Sequence, residues 1–83
     1  MTEKIRVLLI DDHPLFRKGV GQIISDDPSF EIVGEAASGQ EGIDLALEVK
    51  PDLVLLDLNM KGMDGLETLR RFKETDLDAH YVV

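Results

Sequence analysis

Cysteine is absent from the chain, which excludes a disulfide framework and any thiolate metal site. That absence fits a reducing compartment. Basic residues are scarce: 9 Lys and Arg stand against 17 Asp and Glu, for a formal net charge of −8. Phosphate backbones attract cationic surfaces, so nucleic acid is not an expected partner of this segment. A partner that carries cations, or a bound metal cation, fits better. No apolar run approaches the length of a membrane span, and no signal peptide precedes the first strand-like segment. We therefore expect a cytoplasmic protein without a membrane partner. Internal repeats and low-complexity stretches are missing too. What is present is 83 residues with 43% hydrophobic content. That is enough for one modest globular domain and too apolar for a disordered tail.

Strand-like and helix-like segments alternate along the chain. Ile5 to Ile10 reads as a first strand, broken by Asp11-Asp12-His13-Pro14. Proline suits the first turn of a helix, where no backbone N–H is needed. Leu15, Phe16, Val20, Ile23 and Ile24 then recur at helical spacing and predict a first helix with these residues as its core side. Ser25-Asp26-Asp27-Pro28 stops it. Phe30 to Ala36 reads as a second strand. Ser38 with Glu41 three residues on is a capping-box spacing, so a second helix starts near Gly39. Ile43, Ala46, Leu47 and Val49 supply its inner face, and Pro51 closes it. Leu53 to Leu56 is an unbroken apolar run, which predicts a strand covered on both faces. A Gly62-Met63-Asp64-Gly65 turn leads to a third helix opened by the Asp64/Glu67 spacing, with Leu66, Leu69 and Phe72 on one face. His80 to Val83 reads as the start of a fourth strand. The sum is βαβαβαβ, an α/β architecture with a parallel sheet and right-handed crossovers.

Ligands of open parallel sheets bind beyond the carboxyl ends of the strands. Two strands here end in carboxylates: the first at Asp11 and Asp12, the third at Asp57. If those strands are neighbours, the carboxylates converge and repel one another, a cost that a hard divalent cation removes. Magnesium fits, since it takes oxygen ligands and bridges readily to phosphate. A carboxylate can attack phosphorus to form an acyl phosphate. Asp57, ending the central apolar strand, has the more rigidly fixed position and is the expected nucleophile. Asp12 and, less directly, Asp11 would hold the metal, with the backbone carbonyl of Asn59 a further ligand. An Asp pair after a strand is also a common helix cap. Composition and spacing alone go no further than a metal-dependent phosphoryl-transfer or hydrolase site.

At these residues a family resemblance emerges. Val-Leu-Leu-Ile-Asp-Asp-His-Pro at 7–14 resembles the opening of response-regulator receiver domains. Pro-Asp-Leu-Val-Leu-Leu-Asp-Leu-Asn-Met-Lys-Gly-Met-Asp-Gly-Leu-Glu at 51–67 resembles their phosphoacceptor strand and following loop. Val33-Gly34-Glu35-Ala36, with Gly39 and Gly42, is similar to the NarL/FixJ type, whose members carry a C-terminal helix-turn-helix domain. The resemblance spans the whole chain. It implies a flavodoxin-like (CheY-like) doubly wound sheet with strand order 2-1-3-4. It makes Asp57 the phosphorylation site and places Asp11, Asp12, Asp57 and the Asn59 carbonyl around Mg2+. The implied phosphoryl donor is a sensor histidine kinase, and the implied output is transcription control.

Two departures qualify the resemblance. Lys61 stands where the family has proline, and reads as a solvated loop residue. The family also has a Ser or Thr after its fourth strand and a Lys after its fifth, and the chain stops at Val83, before either. Residues 1–83 are thus expected to be the N-terminal part of a receiver, incomplete and without an output domain. The exposed fourth-strand edge then invites self-association. Two other functions compete: a fragment incompetent as a switch, and a magnesium-dependent phosphatase with Asp57 as nucleophile. Such phosphatases prefer a second Asp where this chain has Asn59. His13 reads as an exposed cap-region residue and His80 as a surface residue. Met60 and Met63 read as packing or partner contacts. Arg17 and Lys18 are the exposed residues of the first helix that would meet a kinase, and Arg70-Arg71 is a solvated face.

Overall fold

The computed structural model describes residues 4–57, 65–75 and 77–82. In chain order the elements are β1 (Ile5–Ile10), α1 (Pro14–Ser25), β2 (Phe30–Ala36), α2 (Gly39–Val49), β3 (Leu53–Leu56), α3 (Gly65–Lys73) and β4 (His80–Val82). This is the expected βαβαβαβ. Every strand pairing is parallel, and the sheet runs β2-β1-β3-β4. That is the order expected of the flavodoxin-like arrangement, with β1 and β3 side by side at the centre.

Local chemistry fixes the element ends. Pro14 opens α1 with its φ already helical. The Ser38 hydroxyl accepts the Glu41 N–H at 3.2 Å and caps α2. At the other end of α2, Lys50 takes a left-handed φ of 49° and its N–H donates to the Ala46 carbonyl at 2.8 Å. The β1–β2 register slips between Val7 and Leu8, so Val7 faces Ile32 while Leu8 faces Gly34. The proposed cap residue Asp64, like Asn59, Met60, Lys61, Gly62 and Met63, lies outside the described residues.

One face of the sheet is well covered. Leu8 and Ile10 of β1, Ala36 of β2, and Val54 and Leu56 of β3 pack against Ile43 and Ala46 of α2 and Phe72 of α3. Each large side chain buried this way is worth about 1.5–3 kcal/mol. Gly42 lets α2 come down onto the sheet: a Cβ there would lie 2.7 Å from Ile10 Cγ1 and closer still to its Cδ1. Phe72 packs on Tyr81, ring centroids 5.3 Å apart.

The other face departs from the sequence expectations. Val7 and Leu9 are buried there, with Gly21 of α1 close over Leu9. Yet Leu15, Phe16 and Ile23 are 87%, 65% and 73% exposed rather than core residues. The physical reason is coverage: α1 rests on β1 and β2, so its far flank overhangs bare sheet. For the same reason Leu53 and Leu55 of β3 are only half-buried, and the apolar run is not covered on both faces. On the covered face, helix phase decides. Gly39, Gly42, Ile43 and Ala46 form the inner line of α2, leaving Leu47 half-exposed at its margin. In α3 the inner line is Gly65, Thr68 and Phe72, which turns Leu66 outward. None of the described helices is long and apolar enough to cross a membrane.

Candidate functional site

The carboxyl ends of β1 and β3 lie side by side because the two strands pair with Ile10 opposite Leu56. Each strand then runs one residue further into a carboxylate. The Asp57 N–H donates to the Ile10 carbonyl at 3.0 Å, and the Asp11 N–H donates to the Ala36 carbonyl at 3.0 Å. Ladder hydrogen bonds thus hold the backbone of both residues. Asp11 is buried and Asp12 and Asp57 are partly so. Carboxylate oxygens of all three, with a ring nitrogen of His13, lie within 4.8 Å of one another. The structure therefore brings Asp11, Asp12 and Asp57 together. Asn59, the fourth candidate ligand, lies outside the described residues.

His13 is the exposed N-cap residue expected from the sequence, but its contacts with the carboxylates were not foreseen. It makes no side-chain cap hydrogen bond. Instead Nδ1 lies 3.1 Å from Asp11, 3.0 Å from Asp12 and 3.4 Å from Asp57. The His13 backbone N–H also donates to Asp11 Oδ1, at 2.8 Å. When Nδ1 carries the ring proton, it donates to these carboxylate oxygens. The hydrogen bond to Asp11 and then the charge of Asp12 raise the His13 pKa, against a smaller opposing effect of burial. A signal was present in the order of residues: an N-cap placed directly after two strand-end carboxylates must lean over them.

Arg17 corrects another expectation. It is not an exposed docking residue. Its side chain is 20% exposed. Nη1 donates to the Asp11 carbonyl at 2.6 Å, and Nε donates to the Glu35 carboxylate at 3.2 Å. Lys18 is exposed as expected. Arg70 and Arg71 do lie on a solvated face, paired with Glu67 at 3.2 and 3.4 Å.

This arrangement can hold a hard cation. Its donors are carboxylate oxygens gathered on one strand edge, and their mutual repulsion is relieved by positive charge, whether of a bound cation or of a protonated His13 ring. One end of an apolar cleft between α1 and the open sheet, lined by Leu9, Phe16 and Leu55, reaches Asp11, His13 and Asp57.

Comparison with known proteins agrees with this geometry. The nitrate/nitrite response regulator protein NarL of Escherichia coli K12 is 54% identical over 81 residues, 98% of this chain and 38% of its own length. A nitrate/nitrite response regulator homologue of Haemophilus influenzae is 48% identical over 83 residues, 100% of this chain and 40% of its own. The chain thus spans about two-fifths of these curated relatives. Among solved structures, the signal receiver domain of a response regulator NarL from Mycobacterium tuberculosis superposes with a TM-score of 0.89 at 40% identity, covering 95% of this chain and 64% of that one. The model of the response regulator receiver domain matches residues 7–83. Since that match takes in every helix and all but the first two residues of the sheet, the chain belongs to the response regulator receiver domain family, in company with NarL-type regulators.

Proposed function

We propose that Asp57 accepts a phosphoryl group from a sensor histidine kinase, within a pocket where Asp11, Asp12, Asp57 and the Asn59 carbonyl hold Mg2+. The observation that supports this is the meeting of three carboxylates beyond the central strands, with Asp57 fixed at the end of β3. In the transfer, an Asp57 carboxylate oxygen bonds to phosphorus as the phosphorus–nitrogen bond of a phosphohistidine breaks, and the freed imidazole takes up a proton. Bound magnesium would offset the charge of the pocket and of the phosphoryl oxygens. The buried strand ends hold the nucleophile still, which is the chain's own contribution.

Residues 1–83 then form the N-terminal part of a cytoplasmic receiver, whose phosphorylation controls transcription through a DNA-binding output domain in a longer regulator. Among the described residues the outer edge of β4 is unpaired and Leu15, Phe16 and Ile23 of α1 are exposed, which favours self-association of this unit. A strictly monomeric mass at micromolar concentration argues against that part.

The phosphoacceptor reading is tested by incubating the chain with Mg2+ and acetyl phosphate and measuring intact mass. A single phosphoryl adduct is expected, lost in Asp57→Asn and on chelation of the metal. Continuous release of phosphate without an adduct would favour a hydrolase instead. No adduct and no turnover would refute both.

A further inference from the structure

A cation-binding site gains nothing from a guanidinium at its border, because like charge lowers the local affinity for a metal. Arg17 nevertheless reaches back from the first turn of α1 to the end of β1. Its backbone is committed first: the Arg17 N–H donates to the His13 carbonyl at 2.9 Å. Its fork then divides between the Asp11 carbonyl at 2.6 Å and the Glu35 carboxylate of β2 at 3.2 Å.

The Asp11 carbonyl lies beyond the last paired residue of β1, where no ladder hydrogen bond reaches it among the described residues. The surroundings are part-buried, so an unmet carbonyl would be costly there. This carbonyl also belongs to the peptide that joins Asp11 to Asp12. Its orientation decides how the two carboxylates stand relative to each other. On one side of Asp11 the Ala36 carbonyl holds the N–H, and on the other Arg17 holds the C=O.

We propose that Arg17 is a positioning residue of the acidic site: by holding the Asp11 carbonyl it fixes the peptide between the Asp11 and Asp12 carboxylates and thereby sets the affinity for a divalent cation. The inference rests on the reading of the cluster as a cation site. Glu35 serves as the outer anchor, keeping the fork in plane. Lysine keeps the charge but has a single nitrogen, so it cannot span both partners as the fork does.

The sign of the effect separates positioning from charge. Titration calorimetry with MgCl2 is run on the wild type, Arg17→Lys and Arg17→Gln, at a temperature where circular dichroism shows each to be folded. Positioning makes both variants weaker, by about tenfold or more, the usual effect of losing a group that orients a ligand. Arg17→Gln weakens binding even though it removes a positive charge. The inference is overturned if Arg17→Lys binds within about twofold of wild type, or if Arg17→Gln binds more tightly. It is overturned equally if the variants lose only melting temperature while affinity holds. Should Arg17→Gln fail to fold, Arg17→Lys decides alone. A wild-type chain that shows no Mg2+ binding removes the cation reading itself, and Arg17's proposed role with it. A binding wild type with an indifferent Arg17 removes the role only.

Discussion

Gly42→Ala sets two effects of known sign against each other. Alanine in a helix interior is favoured over glycine by about 0.8–1 kcal/mol. Here the new methyl would stand 2.7 Å from Ile10 Cγ1 and 3.3 Å from its Cγ2, with Cδ1 nearer still. Ile10 is 1% exposed and β-branched, so its χ1 cannot swing freely to make room. Its backbone is tied on the other side by the Asp57 N–H. Overpacking of this kind costs about 1–3 kcal/mol. The clash therefore outweighs the helix gain, and a net loss of up to about 2 kcal/mol is expected. A second substitution tests the cause. Ile10→Val alone should cost about 0.5–1.5 kcal/mol. In the double variant Cδ1, the atom nearest the new methyl, is gone while both γ carbons remain, so part of the clash is relieved and the combined loss falls short of the sum by about 0.5 kcal/mol. Urea denaturation followed by far-UV circular dichroism gives these free energies, with an unchanged slope confirming a common unfolded state. A more stable Gly42→Ala, or strict additivity in the double variant, would refute the packing argument.

The acidic cluster itself should be a net liability without a cation. Asp57→Asn removes one of three clustered carboxylates, so its melting temperature without metal should exceed the wild type's, while the rise on adding MgCl2 should shrink. His13 supplies a pH signature. Its pKa is raised in the fold above 6.5, so its contribution is full below that value and fades as pH climbs through the folded one. The stability gap between wild type and His13→Ala should accordingly be widest below pH 6.5 and close at alkaline pH; a gap that widens with pH would contradict the ring's contacts. Tyr81 behaves likewise at higher pH. Burial raises its pKa above 10.0, only partly offset by the Thr75 hydroxyl, which itself donates to the Phe72 carbonyl at 2.6 Å. Stability should fall as pH rises past 10.0, and Tyr81→Phe should remove part of that slope in urea titrations.

Every strand and helix was legible in the sequence because its signal was local. Apolar runs marked the strands, Pro14 and Ser38 marked helix starts, and two strand ends carried the carboxylates. Burial was less legible. Leu15, Phe16 and Leu66 obey helical periodicity, but periodicity says that a face exists, not that anything lies against it. Which flank of α1 meets the sheet depends on where the neighbouring strands fall. The contacts of the exposed His13 and the partial burial of Arg17 were missed for a related reason. Both are polar residues at a helix start, where exposure is the ordinary outcome. Only the placement of β1 beside β2 and β3 shows that one leans over the carboxylates and the other reaches the end of β1.

The hydrogen bond between the Asp57 N–H and the Ile10 carbonyl has a kinetic consequence. Asp11 and Asp57 are remote in sequence and meet only after β3 has docked on β1, past the intervening β2 and α2. Such long closures come slowly, since chain entropy is lost before contacts repay it. A half-formed chain with α2 wound and β1 paired to β2 holds Asp11 and Asp12 but not Asp57. In refolding, cation affinity should therefore appear together with the central strand pair and lag behind helix content. The acidic cluster then timestamps the slow step of the fold.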